Sequence, residues 1–254
     1  MPTWVGTSWK MNKTLAQARD YTARLVEGLA GRDLTGVQPF IIPPFTALAT
    51  VRDIAADDSR VILGAQNAHW DDAGAWTGEI SVPQALDAGA RIIEIGHSER
   101  RQHFGETVET TRLKVAAALR HGALALLCVG EPADVRDAGR STAYILEQAE
   151  GALAGLSDEQ LRSVLIAYEP IWAIGEAGRP ATPEELRGPF AALRERFGDR
   201  VRGLLYGGSV NQDNAPDLLR IDGVDGLFVG RAAWEVEGFL ALLDIATAHN
   251  STDS

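Results

Sequence analysis

Val164-Leu165-Ile166-Ala167-Tyr168-Glu169-Pro170 is the stretch that decides how this chain folds. Its apolar run reads as a strand buried on both faces, as in a parallel sheet covered by helices. Beyond it, Thr182-Pro183-Glu184-Glu185 offers an N-cap, a first-turn proline and acids at the positive end of a helix dipole, so the spacing predicts a helix over Glu184–Phe197. The next apolar run is Gly203–Tyr206, which completes one βα repeat. The same alternation recurs along the whole chain. Trp4–Trp9, Phe40–Ile42, Val61–Gln66, Ile92–Gly96, Leu124–Val129 and Gly226–Val229 read as further strands. Leu15–Ala30, Thr107–Arg120, Thr142–Leu153 and Val236–Ala248 carry the spacing of amphipathic helices. Both a large doubly wound sheet and a barrel accommodate such units, and eight of them in this length favour an α/β fold of the single (β/α)8 barrel kind. No Pro-, Gly- or Ser-rich linker divides the chain. Residues 1–254 therefore read as one barrel domain, with about 250–254 expected to be a disordered polar tail.

Composition limits the partners. The 254 residues are 45% hydrophobic and 23% charged, enough apolar material for a sizeable core. A formal charge of −11 argues against nucleic-acid or anionic-membrane surfaces, which need basic footprints. Cys128 is the only cysteine, so an internal disulfide and a four-cysteine metal site are excluded. Met1–Gly6 has neither the basic start nor the apolar core of a signal peptide. The apolar run Ala123–Val129 is far too short to span a bilayer. The expectation is a globular, cytoplasmic protein without nucleic-acid or membrane partners.

In a parallel barrel the chemistry sits beyond the C-terminal ends of the strands. Those positions carry Ser8-Trp9-Lys10, Gly96-His97-Ser98-Glu99-Arg100-Arg101, Glu169-Pro170, Gly207-Gly208-Ser209 and Gly230-Arg231. Glu169 leaves a buried strand ahead of a proline that biases it to extended backbone, a natural position for a general base. A lone glutamate would more often be an ion-pair partner, and a lone histidine such as His97 a hydrogen-bonded structural residue. Together with an ammonium, however, they form a base, an electrophile and an anion anchor. Lys10 stands out because the chain has lysine only at 10, 13 and 114 against 21 arginines. The two glycine turns after the last strands either permit tight connections or seat a phosphate on backbone N–H groups.

These segments, with Thr77-Gly78-Glu79-Ile80-Ser81, Cys128-Val129-Gly130-Glu131 and Ala167–Gly175, resemble the triosephosphate isomerase family from the first strand to the last. The resemblance implies that Glu169 removes a proton beside a carbonyl, as in the isomerase for which the family is named. It further implies that neutral His97 stabilises the enediol(ate), that Lys10 adds positive charge and that Glu99 holds Lys10. Backbone donors of Gly175, Ser209, Gly230 and Arg231 would grip the phosphate, Pro170–Ala181 would close as a lid, and neither metal nor organic cofactor would be needed. The His69–Ile80 loop would form a homodimer, with Thr77 reaching a neighbouring active site and Glu79 meeting Arg100 across the interface. Read without the resemblance, the same loop could fold back on its own barrel.

The departures from the family pattern concern substrate fit. Ser8 replaces the usual Asn and leaves space, so it is a candidate substrate-binding residue beside Lys10. Arg231 stands at a usual Gly, and the lid is one residue longer, with Glu176 and Pro180 at Thr positions. The opening Ser8–Thr14 is similar to that of L-erythrulose-1-phosphate isomerases, paralogues acting in tetritol (erythritol) catabolism. Their substrate is dihydroxyacetone phosphate with one more hydroxymethyl group, so the leading expectation is isomerisation of L-erythrulose 1-phosphate to D-erythrulose 4-phosphate. The runner-up is the glycolytic reaction of triosephosphate isomerase itself, dihydroxyacetone phosphate to glyceraldehyde 3-phosphate. A Schiff-base aldolase using Lys10 and a non-catalytic phosphosugar-binding protein are the readings from other classes.

Overall fold

A computed structural model describes residues 1–56, 58, 60–175 and 178–252. Eight parallel strands close into a barrel in chain order: β1 (Thr3–Ser8), β2 (Val37–Ile42), β3 (Ile62–Ala65), β4 (Ile92–Ile95), β5 (Leu124–Val129), β6 (Val164–Tyr168), β7 (Gly203–Tyr206) and β8 (Gly226–Val229). The closing pair is β1 with β8, where Trp4 faces Gly226 and Thr7 faces Val229. Around them, in order, run α1 (Leu15–Leu29), α2 (Phe45–Ala55), α3 (Val82–Asp87), α4 (Ser98–His103), α5 (Val108–Arg120) and α6 (Ala133–Asp137). Then come α7 (Ser141–Ala152), α8 (Asp158–Leu161), α9 (Pro183–Phe197), α10 (Ala215–Leu219) and α11 (Val236–Thr252).

The helices begin where their caps dictate. Thr182 accepts a hydrogen bond from Glu185 N and starts α9 with Pro183 in its first turn. Thr14, Ser81 and Thr107 cap α1, α3 and α5 in the same reciprocal way, each satisfying two otherwise orphaned N–H groups. Strand β2 starts earlier than the apolar run alone predicts, because Pro39 interrupts the run without ending the strand. The expected polar tail is partly corrected. Asn250 and Ser251 continue α11, and Asn250 bonds the Thr3 hydroxyl and the Gly36 carbonyl, tying the last helix to the start of β1. Asp253 and Ser254 lie outside the described residues.

The core has two layers. One lies between the barrel wall and the helices, where Leu25, Leu48, Phe190 and Phe239 are buried. The other fills the lumen, where Trp4 meets Phe40 edge-on at 6.1 Å, Phe40 stacks on Phe228 at 5.7 Å, and Leu126, Leu165 and Leu205 belong to the same buried cluster. Gly6 is small because it must be: a Cβ there would sit 2.0 Å from the Phe40 ring. Above this filling, a cavity lies at the C-terminal ends of the strands. No helix among the described residues is long and apolar enough to cross a membrane.

Candidate active site

Inward-facing side chains recur every second residue along each strand, and this alternation selects what reaches the mouth. On β1 the series is Trp4, Gly6, Ser8; on β4 it is Ile92, Glu94. On β6 it is Leu165, Ala167 and, one step past the strand, Glu169. A polar residue ends each of these three series just where the apolar filling stops.

His97 caps the first turn of α4, and its Nδ1 accepts the Glu99 backbone N–H at 3.2 Å. With Nδ1 occupied as an acceptor, the proton of the neutral ring belongs on Nε2, which lies 3.5 Å from Glu169 Oε1. The second carboxylate oxygen of Glu169 accepts Ser98 N at 3.3 Å. Room for this carboxylate comes from Gly207, where a Cβ would lie 2.8 Å from Glu169 Cγ. Lys10 reaches the mouth from a left-handed backbone conformation, φ 52°, which an L side chain adopts at a steric cost of ~1–2 kcal/mol. Its Nζ pairs with Glu99 Oε1 at 2.6 Å, and Gln66 Nε2 donates to its carbonyl at 2.8 Å. Burial pushes the Glu99 carboxyl up, but the Lys10 hydrogen bond and the nearby His97 and Lys10 charges outweigh it and hold the group below its ordinary value.

All nine positions singled out from the sequence line one cavity of about 320 Å³: Ser8, Lys10, His97, Glu99 and Glu169 together with Gly175, Ser209, Gly230 and Arg231. Gly230 precedes the 3-10 turn Arg231–Ala233 that follows β8, and Gly175 holds φ 84°. The Arg231 side chain donates from Nη2 to the Gly175 carbonyl at 3.0 Å. It thereby joins the β8 turn to the segment Pro170–Ala181. The first turn of that segment is anchored by Glu131, which accepts Trp172 Nε1 at 2.8 Å and Tyr168 Oη at 3.1 Å. Its far end is held by Arg179, stacked on Trp172 and paired with Glu185. The expectation at Glu176 lies outside the described residues, as does Ala177.

The structure also gives work to residues that the sequence leaves idle. Lys13 donates to the Trp234 carbonyl at 2.6 Å and lies over the rings of Trp9 and Tyr21, locking the loop after β1 to the turn after β8. Glu94 is hidden from sequence reasoning inside the apolar run of β4. The available signal is a carboxylate in period-two register with Ile92, facing the lumen. It is 3% exposed, and its Oε2 accepts the Ser8 hydroxyl at 3.0 Å. Burial pushes its carboxyl up to about 7; the His97 charge acts against this and the Glu169 charge with it. The His69–Ile80 loop is pinched at its base by His69 N bonding Ile80 O at 2.7 Å. Trp70 packs on the chain's own core, whereas Thr77 and Glu79 are exposed and Trp76 is 48% exposed. Within one chain Arg100 pairs with Glu106.

Among the described residues no group of three or more His, Cys, Asp or Glu side chains is placed to hold a metal ion. The sequence description of the family "Triosephosphate isomerase" matches residues 3–246. An L-erythrulose-1-phosphate isomerase of Mycolicibacterium smegmatis is 68% identical over 246 residues, covering 97% of this chain and 94% of that protein. One of the same name from Rhizobium rhizogenes is 51% identical over 244 residues, covering 94% and 93%. Among solved structures, triosephosphate isomerase from Bartonella henselae superposes with a TM-score of 0.85 at 34% identity, covering 97% of this chain and all of that one.

Proposed function

This chain belongs to the triosephosphate isomerase family, and from that premise we propose that it interconverts L-erythrulose 1-phosphate and D-erythrulose 4-phosphate through an enediol(ate). The observation that carries the reading is the convergence of Glu169, His97 and Lys10 on one cavity whose neighbouring position, Ser8, is a short hydroxyl. The name borne by the relatives with 51–68% identity points to the same substrate.

In this reading the Glu169 carboxylate takes the proton from the hydroxyl-bearing carbon beside the carbonyl. The electron pair of that C–H bond forms the C=C bond of the enediolate, and the carbonyl electrons move to oxygen. The Nε2–H of His97 and the Lys10 ammonium stabilise this developing charge. A proton passes between the two enediol oxygens through His97. Glu169 then returns its proton to the former carbonyl carbon, and the carbonyl has moved by one position. Backbone donors around Gly175, Ser209, Gly230 and Arg231 hold the phosphate, with the Pro170–Ala181 segment excluding water. The 2.6 Å ion pair between Lys10 and Glu99 suits an electrostatic role better than that of an amine nucleophile.

The protein is further proposed to act as a cytoplasmic homodimer through the His69–Ile80 loop. Support comes from the exposed Trp76 and Thr77 on a loop tied at its base. Sedimentation equilibrium at micromolar concentration checks this: a dimer mass supports the loop's role, and a monomer contradicts it.

The reaction is tested by NMR in D2O. Conversion of L-erythrulose 1-phosphate should give the 4-phosphate with deuterium on the carbon that had been the carbonyl. No conversion by the folded protein would overturn the proposal.

A further inference from the structure

Glu94 lies in the lumen directly below the mouth and has no task in the chemistry above. We propose that Ser8 and Glu94 form the subsite for the terminal hydroxymethyl group of a four-carbon ketose phosphate. In it, Glu94 orients the Ser8 hydroxyl to accept a hydrogen bond from the substrate's fourth-carbon hydroxyl. The inference rests on the tetrulose reading and names the residues that would select it.

Ser8 lines the cavity and is 4% exposed. A serine hydroxyl has one proton to donate and two lone pairs. Its proton points at Glu94 Oε2, 3.0 Å away across the lumen from β1 to β4. With its one proton committed to Glu94 Oε2, the capacity Ser8 has left toward the cavity is that of an acceptor. A substrate hydroxyl has the donor to match. A triose phosphate has only hydrogen at that place, and leaves a buried lone pair without a partner.

The company of Glu94 argues against a structural task. Its strand neighbours are Ile92, Ile93 and Ile95, and the Ser8 hydroxyl is its one hydrogen-bond donor among the described residues. No cation lies within ion-pair distance of it among those residues, and the charged groups that act on it, His97, Glu169 and Lys10, all belong to the mouth. Burying a carboxyl in such surroundings opposes folding unless something else is gained. Glu94 does not line the cavity itself. It is a positioning residue that acts through Ser8.

The test compares kcat/KM on L-erythrulose 1-phosphate and on glyceraldehyde 3-phosphate for wild type, Ser8→Ala, Glu94→Val and Glu94→Gln. Circular dichroism and melting confirm that each variant is folded. Ser8→Ala and Glu94→Val should lower the ratio of kcat/KM for the tetrulose over the triose by about 10- to 100-fold. Glu94→Gln, whose amide oxygen still accepts from Ser8, should keep most of the preference, so a misfolded Val variant does not remove the test. Equal losses on both substrates would mark a structural role and overturn the assignment, as would an unchanged ratio. A wild type inert toward the tetrulose would overturn the functional reading itself, and the subsite with it, whereas the variant outcomes bear on the subsite alone.

Discussion

Glu94 and Glu106 are both buried carboxyls near the ends of neighbouring segments, yet they sit in opposite surroundings. Glu106, between the barrel wall and α5, takes the Lys114 ammonium, the Arg100 guanidinium and the Gly96 backbone N–H. Burial pushes it up, but these cations prevail and hold it below its ordinary value. Glu94, in the lumen, has a serine hydroxyl, and burial takes it up to about 7. The helix layer neutralises its charge and uses it to fix the loop around His97. The lumen gives Glu94 no cation, so its carboxyl carries charge next to the cavity only above about 7. What separates a carboxyl that serves the fold from one that serves the site is the partner it is given, not its depth.

This division requires substitutions to separate activity from stability. The largest effect belongs to the mouth: Glu169→Gln should lower kcat by about 10²- to 10⁴-fold with the melting temperature nearly unchanged, as steady-state kinetics and calorimetry would show. A surviving rate within 10-fold would deny Glu169 its role as base. In the helix layer the pattern should invert. Glu106→Gln strands a buried Lys114 and should lose about 3–5 kcal/mol in denaturant unfolding. The folded fraction should keep kcat within a few-fold.

The two carboxyls should also respond to pH with opposite sign. Glu94 holds its proton in the folded state and releases it on unfolding between its ordinary value, near 4.5, and about 7. Its contribution therefore falls as pH rises through that window, by about 1.4 kcal/mol per pH step where folded and unfolded chains differ by a full proton. Glu94→Val removes this slope and is expected to be more stable than wild type at pH 8 by about 2–3 kcal/mol. Glu106 is the reverse: its contribution is present above the unfolded value and is lost as pH falls through the lowered one. Unfolding curves for both variants, carried from pH 8 down to well below the ordinary carboxylate range, show whether the slopes oppose each other.

Much of this molecule is legible in its sequence because its signals are local. Apolar strand runs such as Val164–Tyr168, and Thr182 ahead of Pro183, mark the βα units without reference to the rest of the chain. The mouth residues can be found because a barrel puts its chemistry at strand ends. The partners of those residues are not legible. Ser8 meets Glu94 across 86 positions, and Lys10 meets Glu99 across 89, so each pair exists only after the barrel closes. Asn250 reads as frayed tail because its contacts, Thr3 and Gly36, lie at the other end of the chain.

Two smaller effects refine the contrast. Gly6→Ala intrudes on the apolar floor beneath the mouth and should destabilise by about 1–3 kcal/mol through overpacking of Phe40, read as a lower melting temperature. Arg231→Ala removes one exposed hydrogen bond to Gly175 and should raise KM by only about 2- to 5-fold.

The most direct measurement is the ratio of kcat/KM for L-erythrulose 1-phosphate over glyceraldehyde 3-phosphate in the unmodified protein. A mouth built around Ser8 and Glu94 predicts a ratio above about 10, the worth of one well-made hydrogen bond to a buried acceptor. A ratio at or below one would contradict it and make the triose the substrate.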